Sequence, residues 1–336
     1  GTGECLAFGS IVMKGIPIRL AGQDSIRGTF SHRHAGWIDQ ENGQLYIPFS
    51  HLKNGQARFD VYNTILSEYG AMAYEFGYSW SHPNALVLWE AQYGDFVIGA
   101  QIAIDHYLVA AEQRWSSYSS LTLLLPHDFI GGGPEHSSAR IERFLQLTAN
   151  NNIQVVYPST PAQYFHALRR QAIRTLKKPL ILFIPKSLLR NPISFSPLKD
   201  FADGEFQECI DDPTPPANVK RLFLCTGKIY SDILSERKNF PDAAIVRIEQ
   251  LYPLHVEKIK KIFAQYNGAI ECCWIQEEPE NMGAWEFLRP YFYELLPKTM
   301  RLRYVGRERS SSPATGSRKK HLEEQAAILK ALRTKS

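Results

Sequence analysis

Residues 125–146, LPHDFIGGGPEHSSARIERFLQ, constrain the fold more than any other stretch of this chain. Residues 121–126 form an apolar run of strand length, and Ile141, Phe144, Leu145 and Leu147 recur at helical spacing. The segment therefore predicts a buried strand, a glycine-rich loop and a helix. A loop so placed lies at a strand's carboxyl end, where open α/β sheets put their ligands. Gly131, Gly132 and Gly133 permit backbone angles closed to other residues and let a ligand approach the main chain. Pro134 suits the first turn of the element that follows, and Glu135 and His136 come next. Either this loop sets an imidazole and a carboxylate at the rim of a pocket, or it is a plain flexible connection whose histidine is ordinary.

The same strand–helix alternation recurs on both sides. Strand-like runs occupy residues 16–20, 85–89, 153–157 and 180–184, and helical patterns occupy 62–79, 98–111 and 161–177. Residues 36–54 show no period and are expected to be loop. A stretch rich in proline (Pro192, Pro197, Pro213, Pro215 and Pro216) interrupts the pattern and reads as a linker. Beyond it, strands are expected at 222–225, 244–248, 271–275 and 302–305, with helices up to about 236, over 256–266 and over 321–332. The expectation is an α/β protein with two doubly wound, mostly parallel-sheet domains. Residues 1–195 form the first, 196–218 the linker and 219–336 the second. Glu4, Leu6, Ala7 and Ile11 already read as a helix in progress, so the sequence is expected to continue a longer protein.

Bulk properties exclude several classes. A length of 336 residues supports two domains. The net charge of +4 with scattered Lys and Arg does not suggest nucleic acid. No apolar run approaches the roughly 18 residues of a membrane helix, and the start lacks a signal-peptide pattern. Cys5, Cys209, Cys225, Cys272 and Cys273 show no metal-finger spacing, which suits free thiols in a reducing compartment.

No phosphate-binding loop, dinucleotide fingerprint, H-E-x-x-H or G-x-S-x-G is present. What remains is a set of titratable groups at strand ends and helix starts: Glu68, Glu90, His127 and His136. Partial burial would tune such groups for acid–base work. At 100° per residue Glu68 falls beside the apolar stripe of Ile65, Leu66, Tyr69, Met72, Ala73 and Phe76. That position predicts a partly desolvated carboxylate, with an exposed first-turn acid as the alternative. The triplet His32, Arg33, His34 is either an anion-binding element or a solvated loop, and the basic face of Arg169, Arg170, Arg174 and Lys178 is expected to be solvated or paired.

Ten ordered motifs carry a resemblance. They include RLAGQDSIRGTFSHRHA, LSEYGAMAYEFGY, LVLWEAQYGDF, LLLPHDFIGGGPEHSSARIERFLQ, YPSTPAQYFHALRRQ, QEEPENMGAW and YVGR with SPATG. Over residues 15–316 the chain resembles the carboxyl-terminal half of the thiamine-diphosphate-dependent 2-oxoglutarate dehydrogenases, the decarboxylating component of their complex. The resemblance implies a transketolase-like pyrimidine-binding domain followed by the transketolase-like carboxyl-terminal domain. It implies that Glu68, in L-S-E, hydrogen-bonds the aminopyrimidine ring of thiamine diphosphate and so promotes loss of the thiazolium proton. Leu66 and Phe96 are then the ring's apolar contacts and Gln92 a polar neighbour. His136 is expected to meet substrate and intermediates, with His127 near the same mouth. No assignment is placed on Gln23.

The family holds the diphosphate through magnesium on a G-D-G motif in a separate amino-terminal domain. This sequence has no G-D-G; Ala202, Asp203, Gly204 in the linker is the nearest string. The resemblance therefore implies half of a site and no metal on this chain, inactive alone, working as a homodimer. The implied partners are the lipoyl domain of dihydrolipoyl succinyltransferase and dihydrolipoyl dehydrogenase, in the cytoplasm of a bacterium or a mitochondrial matrix. Alternatives are the 2-oxoadipate enzyme of the same family, whose substrate differs by one methylene, and a non-catalytic assembly module.

Overall fold

The computed structural model describes residues 1–333. In chain order the strands are β1 (Ile18–Gly22), β2 (Trp37–Ile38), β3 (Leu45–Tyr46), β4 (Phe59–Asn63), β5 (Leu86–Glu90), β6 (Thr122–Pro126) and β7 (Gln154–Val156). They continue with β8 (Leu180–Ile184), β9 (Cys209–Ile210), β10 (Arg221–Cys225), β11 (Ala243–Ile248), β12 (Gln250–Tyr252), β13 (Glu271–Pro279) and β14 (Arg301–Arg307). A seven-stranded sheet runs in the order β12-β7-β8-β6-β5-β1-β4, and a five-stranded sheet in the order β14-β13-β10-β11-β9. Within these two sheets all pairings are parallel except β12 with β7 and β9 with β11. Every residue of β5, β6, β8 and β10 is buried, as expected of parallel strands covered on both faces. The α/β, mostly parallel architecture is thus the one the alternation predicts.

Helix starts follow local chemistry. Ser67 accepts a hydrogen bond from the Gly70 amide to cap the helix Glu68–Ser81, and Thr160 caps Pro161–Ile173 through the Gln163 amide with Pro161 in its first turn. The first of these corrects the predicted helix over 62–79. Residues 59–63 form β4 instead, and the helix buries Ala71, Met72, Glu75, Phe76 and Ser79. Ile65, Leu66 and Tyr69, expected on the core face, are exposed. The predicted helix over 98–111 is a succession of short turns, with a π turn at Ile104–Leu108 between Gln101–Ala103 and Ala111–Trp115. Residues 36–54 contain the small hairpin β2–β3, whose Trp37 and Tyr46 are paired.

The two halves of the chain are joined by structure as well as by sequence. Strand β12, from the second half, adds an antiparallel edge to the first sheet, and one apolar cluster contains Leu123, Phe144 and Phe183 together with Leu224, Trp274 and Trp285. The stretch read as linker carries the helix Leu198–Ala202 and the edge strand β9. No helix among the described residues is long and apolar enough to cross a membrane.

Candidate functional site

Parallel strands β1 and β5 are neighbours, and a small pocket opens beyond their carboxyl ends. Gln23 from β1's end and Ala91 and Gln92 from β5's end line it, opposite Leu66 and Glu68 from the start of the helix Glu68–Ser81. The Ser67 cap fixes where that helix begins, and so fixes the Glu68 side chain over the pocket. Its Oε1 accepts a hydrogen bond from Gln23 Nε2 at 3.3 Å. No partner for Oε2 occurs among the described residues, and that oxygen faces Gly99, where an added Cβ would lie 3.1 Å away. One carboxylate oxygen is thus steadied and the other left open.

The wall of this pocket continues into the glycine-rich loop. Just after Gln92, Tyr93 and Phe96 pack against each other, ring centroids 5.6 Å apart. His136 lies against both, 4.1 Å from Tyr93 and 6.0 Å from Phe96. The imidazole is about one-third exposed, with Glu135 no closer than 3.9 Å. Gly131 and Gly133 take φ values of +79° and +96°, so these two glycines serve the conformational role expected of them. Asp95, between Tyr93 and Phe96, accepts hydrogen bonds from the amides of Ser137 and Ser138.

Behind the pocket lies a buried charge cluster. Arg33 is bidentate to Glu4 (2.6 and 2.9 Å) and also binds both oxygens of Glu90 (2.7 and 2.6 Å). Burial opposes ionisation of Glu4, but the Arg33 guanidinium outweighs it and holds the carboxyl down to about 2. The anion that the His32-Arg33-His34 element binds is therefore the protein's own carboxylates, while His34 is exposed. Glu90, a candidate acid or base by position, is committed to Arg33. Glu4, His32 and Glu90 offer ligand atoms within 4.8 Å of one another, yet the guanidinium already occupies the cationic place among them.

The transketolase pyrimidine-binding domain family matches residues 1–192, and the 2-oxoglutarate dehydrogenase C-terminal family matches residues 195–332. The chain belongs to the 2-oxoglutarate dehydrogenase family of transketolase-like proteins. It is 48% identical over 339 residues to the 2-oxoglutarate dehydrogenase E1 component of Cupriavidus necator, and 45% identical over 333 residues to that of Haemophilus influenzae. That of Azotobacter vinelandii is 46% identical over 336 residues. Each alignment takes in 98% of this chain and 36% of the relative, so the chain spans about a third of the length of these relatives.

Of the residues that the family resemblance singles out, Leu66, Glu68 and Gln92 meet at one pocket, while Phe96, outside that lining, packs against His136. His127 is placed elsewhere. It is 1% exposed, and its Nδ1 accepts from the Ala139 amide at 3.0 Å. The proton therefore sits on Nε2, which donates to Glu278 Oε1 on β13 at 2.7 Å. Both ring nitrogens are engaged at the contact between the halves, instead of at the mouth where the sequence placed the ring. The reason is the direction of the chain: His127 directly follows β6 and pairs its amide with the Ile184 carbonyl, which keeps it under the loop that carries His136 outward. Tyr93 and Asp95 were not legible as site residues, and the pairing of Arg33 with Glu4 and Glu90 was not, because contacts across separate strand ends leave no periodic signal.

Proposed function

We propose that this chain supplies the aminopyrimidine half of a thiamine-diphosphate site for oxidative decarboxylation of 2-oxoglutarate. The observation that carries the reading is Glu68: a carboxylate lining the pocket, with one oxygen held by Gln23 and the other without a partner among the described residues. These residues fit the ring. Leu66 and Phe96 offer apolar contact, Gln92 a polar one, and Glu68 an acceptor for a ring N–H. When bound, the cofactor supplies the electron sink that takes the carbanion left by decarboxylation. Glu68 holds a proton at the ring nitrogen, Gln23 orients Glu68, and the leucine and phenylalanine keep water from one face. In this reading His136, packed on Tyr93 and Phe96 beside Gln92, meets the substrate, where an imidazole can pair with a carboxylate or move a proton at the 2-oxo group. His127 acts through position, as the buried support beneath that loop.

The remaining half, with magnesium and the diphosphate, belongs in this reading to a region outside the chain, and the working form is a homodimer. The succinyl group passes to the lipoyl arm of dihydrolipoyl succinyltransferase and from it to an acceptor thiol, after which dihydrolipoyl dehydrogenase reoxidises the freed dithiol. Steady-state rates of the full-length protein with 2-oxoglutarate and 2-oxoadipate test the proposal. A preference for 2-oxoglutarate supports it. A preference for 2-oxoadipate reassigns the substrate, and decarboxylation of neither sinks the enzymatic reading in favour of an assembly role.

A further inference from the structure

We infer that Asp95 is a positioning residue for His136, holding the imidazole in register with the wall of the Glu68 pocket; the functional part of the inference rests on the reading just given. Asp95 lies in the first turn of the 3₁₀ helix Gly94–Ala100, which directly follows Gln92 and Tyr93 and also carries Phe96. Its Oδ1 accepts from the amides of Ser137 at 3.1 Å and Ser138 at 2.9 Å, the two residues directly after His136. The Ser137 hydroxyl donates to the Gly133 carbonyl at 2.6 Å and closes the turn around the histidine. Two consecutive amides gathered on one oxygen fix the direction of the peptide leaving His136, and with it the direction of its Cα–Cβ bond.

The acceptor itself cannot drift. Gly94, its neighbour, packs so tightly that an added Cβ would lie 2.4 Å from the Pro126 carbonyl oxygen and 2.5 Å from the Ala139 Cβ. The ring has little else to hold it: contacts with Tyr93 and Phe96 and a distant Glu135. The second carboxylate oxygen, Oδ2, is buried and has no hydrogen-bond partner among the described residues. The role visible for this side chain is therefore that of a single acceptor, which a neutral amide of the same shape can also perform.

The test uses the full-length protein with Asp95→Ala and Asp95→Asn. Asp95→Ala is expected to lower kcat on 2-oxoglutarate by about 10- to 100-fold, the scale of a misplacement near 1 Å, while KM and cofactor affinity stay within about threefold. Asp95→Asn keeps an acceptor oxygen and is expected to restore most of kcat. Amide exchange across residues 133–140, followed by mass spectrometry without substrate, should accelerate in the alanine protein and return to the wild-type rate in the asparagine protein. Should the alanine protein not fold, Asp95→Ser, one atom shorter and out of reach of both amides, takes its place with the same expectation. Wild-type kcat with wild-type exchange in the alanine or serine protein would overturn the inference. So would an asparagine protein as impaired as the alanine one. If the wild-type protein decarboxylates no 2-oxo acid, the proposed function falls, and the exchange comparison still decides whether Asp95 holds the turn.

Discussion

The imidazole of His136 rests on the phenol ring of Tyr93, their centroids 4.1 Å apart and their planes inclined by 41°. Tyr93 directly follows the pocket residue Gln92, so this contact couples the glycine-rich loop to the pocket wall. Stacking of this kind contributes about 0.5–1.5 kcal/mol beyond area burial. Tyr93→Ala should therefore lower turnover by roughly tenfold, by the relation of 1.36 kcal/mol to a factor of ten. Tyr93→Phe, which keeps the ring, should stay near wild type. Steady-state kinetics on both variants check this; equal loss in the two would point to the hydroxyl instead.

Among the described residues, Arg33 is the one cation that the buried Glu4 and Glu90 both touch at hydrogen-bond distance. Removing one partner of such a cluster typically costs about 3–5 kcal/mol, and Arg33→Met should lose that much in urea unfolding at pH 7. The pH dependence has a definite sign. Glu4 is held at about 2 against an ordinary 4.5, so in the wild type its contribution is full above pH 4.5 and lost as pH falls towards 2. In Arg33→Met the stranded carboxylates are relieved by protonation, so the deficit relative to wild type should shrink on acidification. A deficit that is constant from pH 7 to pH 4 would contradict the assignment.

His127→Ala would leave the Glu278 carboxylate buried without its donor, while Gln can still offer an N–H in place of Nε2. Burial opposes ionisation of Glu278, but the His127 hydrogen bond outweighs it and holds the group below the usual carboxylate range. Thermal unfolding should show a large loss for the alanine variant and a partial recovery for glutamine. Hydrogen exchange at the thiazolium carbon, measured where both proteins are folded, should hardly change.

Ile65 is fully exposed, and Leu66, Tyr69, Ile98 and Ile102 are also exposed on segments that pack together. An apolar patch of this kind marks an association surface, and the proposed homodimer is its occupant. Ile65→Asp combined with Ile102→Asp should shift the full-length protein from dimer to monomer in sedimentation velocity and abolish turnover. A dimer that persists with wild-type activity would place the interface elsewhere.

Much of the fold was legible because mainly apolar runs of strand length such as Leu86–Glu90 and Thr122–Pro126 are best used as strands covered on both faces. The misread helix start shows the limit of periodicity. Ile65, Leu66 and Tyr69 match the spacing of a core stripe, yet Ser67 caps the helix after two of them and their surfaces face outwards. The pairing of β12 with β7 spans about a hundred residues and has no local mark. Within the site, Glu68 and His136 stood out by motif. The separate fates of His127 and His136, nine residues apart on one loop, depend on Glu278 and Tyr93, which only the folded chain brings to them.

The central claim is that Glu68 holds the proton that activates the cofactor. Its most direct test is the rate of hydrogen–deuterium exchange at the thiazolium carbon of bound thiamine diphosphate, compared between the full-length protein and Glu68→Gln under conditions where both are folded and saturated. The rate is expected to fall by about 100-fold or more, the lower end of what a positioned acid or base contributes. An unchanged rate would contradict the role given to Glu68.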